Sequence, residues 1–174
     1  YGRSSGEATH ENVREDGLSV LNWGKNYCEQ TKCANFIVYG QSLGGNISLK
    51  ALADWEHNHL VSKIFLESTF ASYKEVGRTF MSRAVLLWPF QWLAYVLVSD
   101  KHSASHVLQK LPKIPKLLIH SKNDPVVKFS NAEALYSMLP EPKQNLYIEE
   151  KDHGGTFFIR NGIYREQLLK FLGD

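Results

Sequence analysis

The sequence predicts an α/β domain in which helices cover both faces of a mostly parallel sheet. Short, mainly apolar runs at residues 36–39, 64–66, 117–120 and 146–149 are too brief for helices and suit strands buried between helical layers. Longer stretches with helical spacing alternate with them, and that alternation is the mark of a parallel sheet. A third observation orients the sheet: Gly40-Gln41-Ser42-Leu43-Gly44 joins the first run to the helix after it. In open α/β sheets ligands bind in the crevice beyond the carboxyl ends of the strands, so function is sought just past each run.

In chain order, a helix over 11–28 leads through Cys28 and Cys33 into the first strand. The glycine-flanked turn then opens a helix over 45–56, and the strand at 64–66 follows. A long insertion at 71–112 separates that strand from the one at 117–120. A helix at 130–138, the last strand at 146–149 and a helix at 164–172 closed by Gly173 complete the order.

Composition narrows the function classes. A chain of 174 residues with 43% hydrophobic and 22% charged residues can build one core, so residues 1–174 are read as a single domain. The formal charge of +2, with basic and acidic residues interspersed, argues against a nucleic-acid partner. Cys28 and Cys33 are separated by four residues, which fits neither a tight redox pair nor a four-ligand zinc site. They are read as two incidental thiols, with a local disulfide as the alternative in an oxidising compartment. Tyr1 is preceded by no visible targeting signal, and the compartment stays open.

The chemistry starts from Ser42. A G-x-S-x-G turn between strand and helix forces its serine into a sharp elbow, with small residues at Gly40 and Gly44 making room for the backbone. The turn lifts the hydroxyl above the sheet, and the first helical N–H groups, Leu43 foremost, point at the same spot. Past the third strand, Asp124 stands in a tight loop before Pro125; past the fourth, His153 lies in the small-residue loop Asp152-His153-Gly154-Gly155. Asp124 read alone is as well explained by a turn. The order Ser42, Asp124, His153, each just after a strand, gives nucleophile, acid and base. Glu67 is the alternative acid. His10, His57, His59, His102 and His106 are read as surface or packing residues away from the catalytic edge, and His120 as the end of its strand.

On these residues the chain resembles the α/β-hydrolase superfamily, and covers the carboxyl-terminal part of that fold from its fourth strand onward. Tyr1-Gly2-Arg3-Ser4-Ser5-Gly6 resembles the family's Y-G-x-S-x-G loop, while Gly40-Gln41-Ser42-Leu43-Gly44, Glu67-Ser68-Thr69-Phe70 and the Asp124 loop are most similar to the serine-aminopeptidase-like and depalmitoylase-like branch. The resemblance implies a serine hydrolase acting on a carboxylic ester or thioester through an acyl-enzyme. The Leu43 N–H would serve the oxyanion, and no metal or cofactor is needed. A peptidase-type amide hydrolase or a non-catalytic binding protein of this fold are the alternatives. The family's first four strands, and the loop carrying the second oxyanion donor, have no counterpart in the sequence. The chain is therefore expected to be a fragment or to need a partner, with self-association through the bare edge of the elbow strand as the repair.

The insertion at 71–112 occupies the position of a helical cap or lid. Residues 84–98 are apolar apart from Gln91 and include Pro89, too short and too interrupted to span a bilayer. They are read as cap helices packed on the sheet edge, in preference to membrane-surface contact. Trp88, Phe90, Trp92 and Tyr95 would then offer an apolar acyl pocket, with Gln41 and Phe70 as further substrate-binding residues.

Overall fold

The structure, a computed structural model, describes residue 3 and residues 5–83 and 85–173. Tyr1, Gly2 and Ser4 of the amino-terminal motif, Ala84 of the 71–112 insertion and Asp174 lie outside the described residues.

Helix α1 (His10–Thr31) starts where the Thr9 hydroxyl accepts from Asn12 N, an N-cap that satisfies one of the helix's orphan donors. It stops at Lys32, whose left-handed backbone (φ 53°) turns the chain back on the last helical turn. That reversal brings Cys33 N within 3.2 Å of Cys28 O and the two Cα atoms to 4.8 Å, and the sulfurs are bonded. The cysteines are thus a disulfide and not two incidental thiols, because the left-handed turn closes a distance that spacing alone left open. The bridge lies beside Phe36, Leu60 and Ser62, at the opposite end of the first strand from the elbow. Closing so short a loop removes only about 2 kcal/mol of unfolded-chain freedom. Reduction is therefore expected to cost no more than about 2 kcal/mol in chemical denaturation, with the transition remaining a single step.

Four strands, β1 (Ile37–Gln41), β2 (Lys63–Glu67), β3 (Lys116–Ser121) and β4 (Lys143–Ile148), form one sheet in the order β1-β2-β3-β4, all parallel. β4 begins three residues before its apolar run because Lys143, Gln144 and Asn145 pair with Lys116, Leu117 and Leu118. Polar side chains are tolerated there since β4 is an edge strand, only partly buried. Among the described residues β1 is the other edge and pairs with β2 alone.

Side-chain alternation along the central strands divides the core in two. Ile64, Leu66 and Leu118 pack with Leu21 of α1, with Leu49 and Leu52 of α2 (Leu43–Asp54) and with Leu135 of α5 (Phe129–Met138). On the opposite face Phe65, Leu117 and Ile119 meet Leu168 and Phe171 of α6 (Arg165–Gly173). Gly173 ends inside α6 and does not cap it from outside.

Residues 71–112 divide into two parts. α3 (Tyr73–Met81), the 3-10 turn Trp88–Leu93 and α4 (Ala94–Leu97) pack mainly on one another. Ala94 is buried, and a Cβ on Gly77 would sit 3.3 Å from Val98 and 3.5 Å from Ala94. The remainder, with the turns Ala104–His106 and Leu108–Lys110, returns Ala104, Val107, Leu108 and Leu111 to the main core. The apolar run itself is not packed on the sheet edge. Val85 is 89% and Leu86 86% exposed, and Trp88, Phe90, Trp92, Tyr95, Val96 and Leu97 are exposed too. A helix of four residues has room to bury only one face against α3, so most of the run stays outside. Among the described residues, no helix is long and apolar enough to cross a membrane.

Candidate active site

The elbow is built by close backbone approach. Ser42 carries φ 51° and ψ −126°, a conformation that costs a non-glycine residue of order 1–3 kcal/mol and persists only where its surroundings enforce it. Its N–H donates to Glu67 O of β2 at 2.9 Å, and its carbonyl accepts from Gly45 N (3.0 Å) and from the Thr69 hydroxyl (2.6 Å). A Cβ on Gly40 would come within 2.6 Å of Gly45 Cα, and one on Gly45 within 2.5 Å of Thr69 Cβ. The second small position is therefore Gly45 and not Gly44, whose Cβ would meet nothing within 4 Å. As the first residue of α2, Leu43 has an N–H that the helix cannot satisfy.

Ser42, His153 and Asp124 form a chain of hydrogen bonds. His153 Nε2 lies 3.0 Å from Ser42 Oγ, and His153 Nδ1 lies 2.8 Å from Asp124 Oδ2 and 3.1 Å from Oδ1. Asp124 Oδ1 also accepts from Val126 N at 2.7 Å and Val127 N at 2.8 Å. The turn that explains Asp124 structurally is thus the same turn that aims its second oxygen at the imidazole. The Asp124 side chain is fully buried, whereas that of His153 is 21% exposed. Glu67, the alternative acid, is not a partner of His153 Nδ1.

Behind Asp124 stands a second imidazole. His120, fully buried in β3, donates from Nε2 to Val127 O at 3.0 Å and lies 3.5 Å from Asp124 Oδ2. Burial pushes this histidine below its ordinary range against the pull of Val127 O and Asp124, so it stands as a neutral donor at neutral pH. It does not end its strand as the sequence suggests: β3 runs one residue further, to Ser121, which pairs with Ile148. The spacing His120-x-x-x-Asp124 was the only sequence signal for its contact with the acid.

The Asp124 loop is tied to residue 83 of the 71–112 insertion. The Arg83 guanidinium donates to Asp124 O (3.1 Å) and Val126 O (3.0 Å), and to Pro125 O. A planar fork of donors suits three consecutive carbonyls, and a lysine could not replace it.

The loop of His153 is tied to the elbow. Gln41 Nε2 donates to Gly154 O at 2.6 Å and to Glu67 Oε2 at 3.3 Å, while Gly154 N donates to Ser68 Oγ at 3.1 Å. Glu67, completely buried, accepts from Tyr39 OH at 2.6 Å and from Thr156 N at 3.0 Å. Gln41 is therefore not placed as a substrate-binding residue, because its amide is committed within the protein. Phe70 is not available either: it is buried against Tyr73, with ring centroids 5.5 Å apart. Trp88 lines a cavity with Ser82, Arg83 and Val85, whose walls include none of Ser42, Asp124 or His153. Tyr95 OH binds Glu75 Oε1 at 2.6 Å. His10 and His102 are nearer the elbow than their segments suggest. Their rings stack at 5.6 Å beside Tyr73, and both share the walls of a small cavity with Leu43.

A sequence profile of the prolyl oligopeptidase family matches residues 6–172. The chain belongs to that family. Among relatives of this prolyl oligopeptidase family member, the uncharacterized protein YfhR of Escherichia coli K12 is 28% identical over 173 residues, which are 99% of this chain and 57% of YfhR. Human alpha/beta hydrolase domain-containing protein 17B is 28% identical over 177 residues, 100% of this chain and 54% of its own length. The chain thus spans a little over half the length of these relatives. An esterase of Pyrococcus furiosus superposes with a TM-score of 0.69 at 16% identity, covering 99% of this chain and 65% of the esterase. The fold is that of the α/β-hydrolases.

Proposed function

We propose that the chain is a serine hydrolase that cleaves carboxylic esters or thioesters of acyl-lipid or acyl-protein type, through an acyl-enzyme intermediate. The observation that supports this reading is the unbroken path from Ser42 Oγ through His153 to Asp124, with heavy-atom distances of 3.0 and 2.8 Å. His153 Nε2 takes the Ser42 proton as Oγ bonds to the carbonyl carbon and a tetrahedral oxyanion forms. When that intermediate collapses, the substrate's C–O or C–S bond breaks and the imidazolium gives its proton to the departing alcohol or thiol, leaving the acyl group on Ser42. Water then attacks the acyl-enzyme with the same proton path and leaves the acid and free Ser42. Asp124 holds the imidazole with Nδ1 protonated and stabilises the imidazolium. The Leu43 N–H, at the positive end of α2, would receive the oxyanion.

Amide hydrolysis is the second reading, favoured by membership of a peptidase family. The two separate by kcat/KM for p-nitrophenyl esters of graded chain length, matched thioesters and aminoacyl anilides. Esters or thioesters are expected to exceed anilides by orders of magnitude; the reverse order would assign the peptidase, and a chain inert to all three would be a binding protein.

The acyl class rests on the exposed aromatic and aliphatic side chains of residues 85–97. An apolar surface of that size suits a lipid surface or a long acyl chain. Replacing Trp88 and Trp92 together with alanine is expected to lower kcat/KM for decanoyl esters, by roughly fourfold for each methylene that loses its contact, with acetyl esters little changed. Equal losses for short and long chains would remove the cap from substrate recognition.

A further inference from the structure

We infer that Gln41 and Glu67 are positioning residues for His153, a frame that fixes the base's loop to the same two strand ends that hold the nucleophile. This inference rests on the serine-hydrolase reading only for the meaning of the activity it controls. Gln41 immediately precedes Ser42, and Glu67 is its register partner in β2. Glu67 O accepts the Ser42 N–H, and its side chain reaches the loop that carries the base. One residue therefore bonds both the backbone of Ser42 and the loop that follows His153.

The residues after His153 are held at three backbone atoms. Gly154 N goes to Ser68 Oγ, Gly154 O to Gln41 Nε2 and Thr156 N to Glu67 Oε1. Gly154 lies at φ +75°, and a Cβ there would fall 2.8 Å from Gln41 Cδ, so the loop rests directly on the glutamine amide. The position requires glycine on both counts.

Glu67 makes sense only as part of this frame. All three of its partners, Tyr39 OH, Gln41 Nε2 and Thr156 N, are neutral donors, and no cation is among them. A buried carboxylate without a cation is costly, and a well-packed apolar residue would serve the core better. What a carboxylate alone provides is acceptance at both oxygens with no proton to donate. Facing it, Gln41 must turn its NH2 inward, and the same NH2 then meets the Gly154 carbonyl. Tyr39 reinforces the arrangement: burial and the bond to Glu67 push its hydroxyl well above the usual range, so it remains a donor. The carboxylate thus sets the orientation of the amide, and the amide sets the height of the histidine loop.

The experiment compares wild type with Gln41→Leu, Glu67→Gln and, as a remote control, Gln109→Leu, whose amide bonds Met138 O on the surface. Gln41→Leu keeps bulk and removes both amide bonds; Glu67→Gln keeps shape but turns one acceptor into a donor facing donors. Activity against p-nitrophenyl acetate is read as kcat and KM, and the His153 ring is followed by the downfield NMR signal of its Nδ1 proton on Asp124. Both frame variants are expected to lose about 10- to 100-fold in kcat, the cost of a misplacement near 1 Å, with KM within about twofold. The Nδ1 signal broadens or disappears in both and persists in Gln109→Leu. In Gln41→Leu/His153→Ala the loss equals that of His153→Ala alone, because a frame has nothing left to position. An unchanged Nδ1 signal in Gln41→Leu and Glu67→Gln overturns the inference, as do losses that multiply in the double variant. If the wild-type chain turns over no substrate while the Nδ1 signal still responds, the hydrolase reading fails and the frame stands.

Discussion

Ser42→Ala is expected to abolish covalent labelling by a fluorophosphonate and to lower ester hydrolysis by about 10⁶-fold, the scale on which a triad serine matters. The substitution removes one oxygen and should disturb little else. The elbow is held through the backbone: Ser42 N to Glu67 O, and Ser42 O to Gly45 N and the Thr69 hydroxyl. None of these bonds uses the serine side chain, whose Oγ meets His153 Nε2. Thermal unfolding of the variant should therefore stay close to wild type while chemistry vanishes. Retained hydrolysis in Ser42→Ala would move the nucleophile elsewhere and sink the acyl-enzyme mechanism.

Asp124→Asn is expected to lower kcat by about 10⁴-fold, through the tautomer of His153 and not through distance. Val126 N and Val127 N both donate to Asp124 Oδ1, and an asparagine satisfies them by placing its carbonyl there. Its NH2 must then occupy the Oδ2 position, 2.8 Å from His153 Nδ1. A donor in that place forces Nδ1 to accept, which puts the ring proton on Nε2, facing Ser42 Oγ. The base would be protonated on the wrong nitrogen. His153→Ala is expected to match the loss in Ser42→Ala, since members of a triad act as a unit. A full-strength Asp124→Asn alongside a crippled Glu67→Asp would reassign the acid.

The residues on which these predictions turn were legible in the sequence because each stands directly after an apolar run, and position past a strand end needs no knowledge of side-chain packing. Glu67 and Gln41 were visible as residues but not as a pair. Their contact depends on strand register, which a run of apolar letters does not encode, so Glu67 read as a spare acid and Gln41 as a substrate contact. The disulfide stood only as the alternative to two thiols for a related reason: it hangs on a left-handed Lys32, and lysine carries no signal for that conformation. Gly45, the glycine that truly admits Thr69, was hidden next to Gly44, which matches the motif. The apolar cap misled because hydrophobicity reports what a side chain prefers and not where α4, only four residues long, can put it.

The backbone ties around the site have a consequence for how the molecule ages and fails. Loops that carry reactive groups often open by themselves, and an enzyme then dies before its fold does. Here the loop after His153 is bonded at Gly154 N, Gly154 O and Thr156 N to side chains of β1 and β2 and of Ser68 just beyond, and the loop of Asp124 is gripped by Arg83. These amides belong, energetically, to the sheet and not to the surface. The Gly154 and Thr156 amide protons are therefore expected to exchange with solvent together with those at the ends of β1 and β2, and not as a separately opening loop.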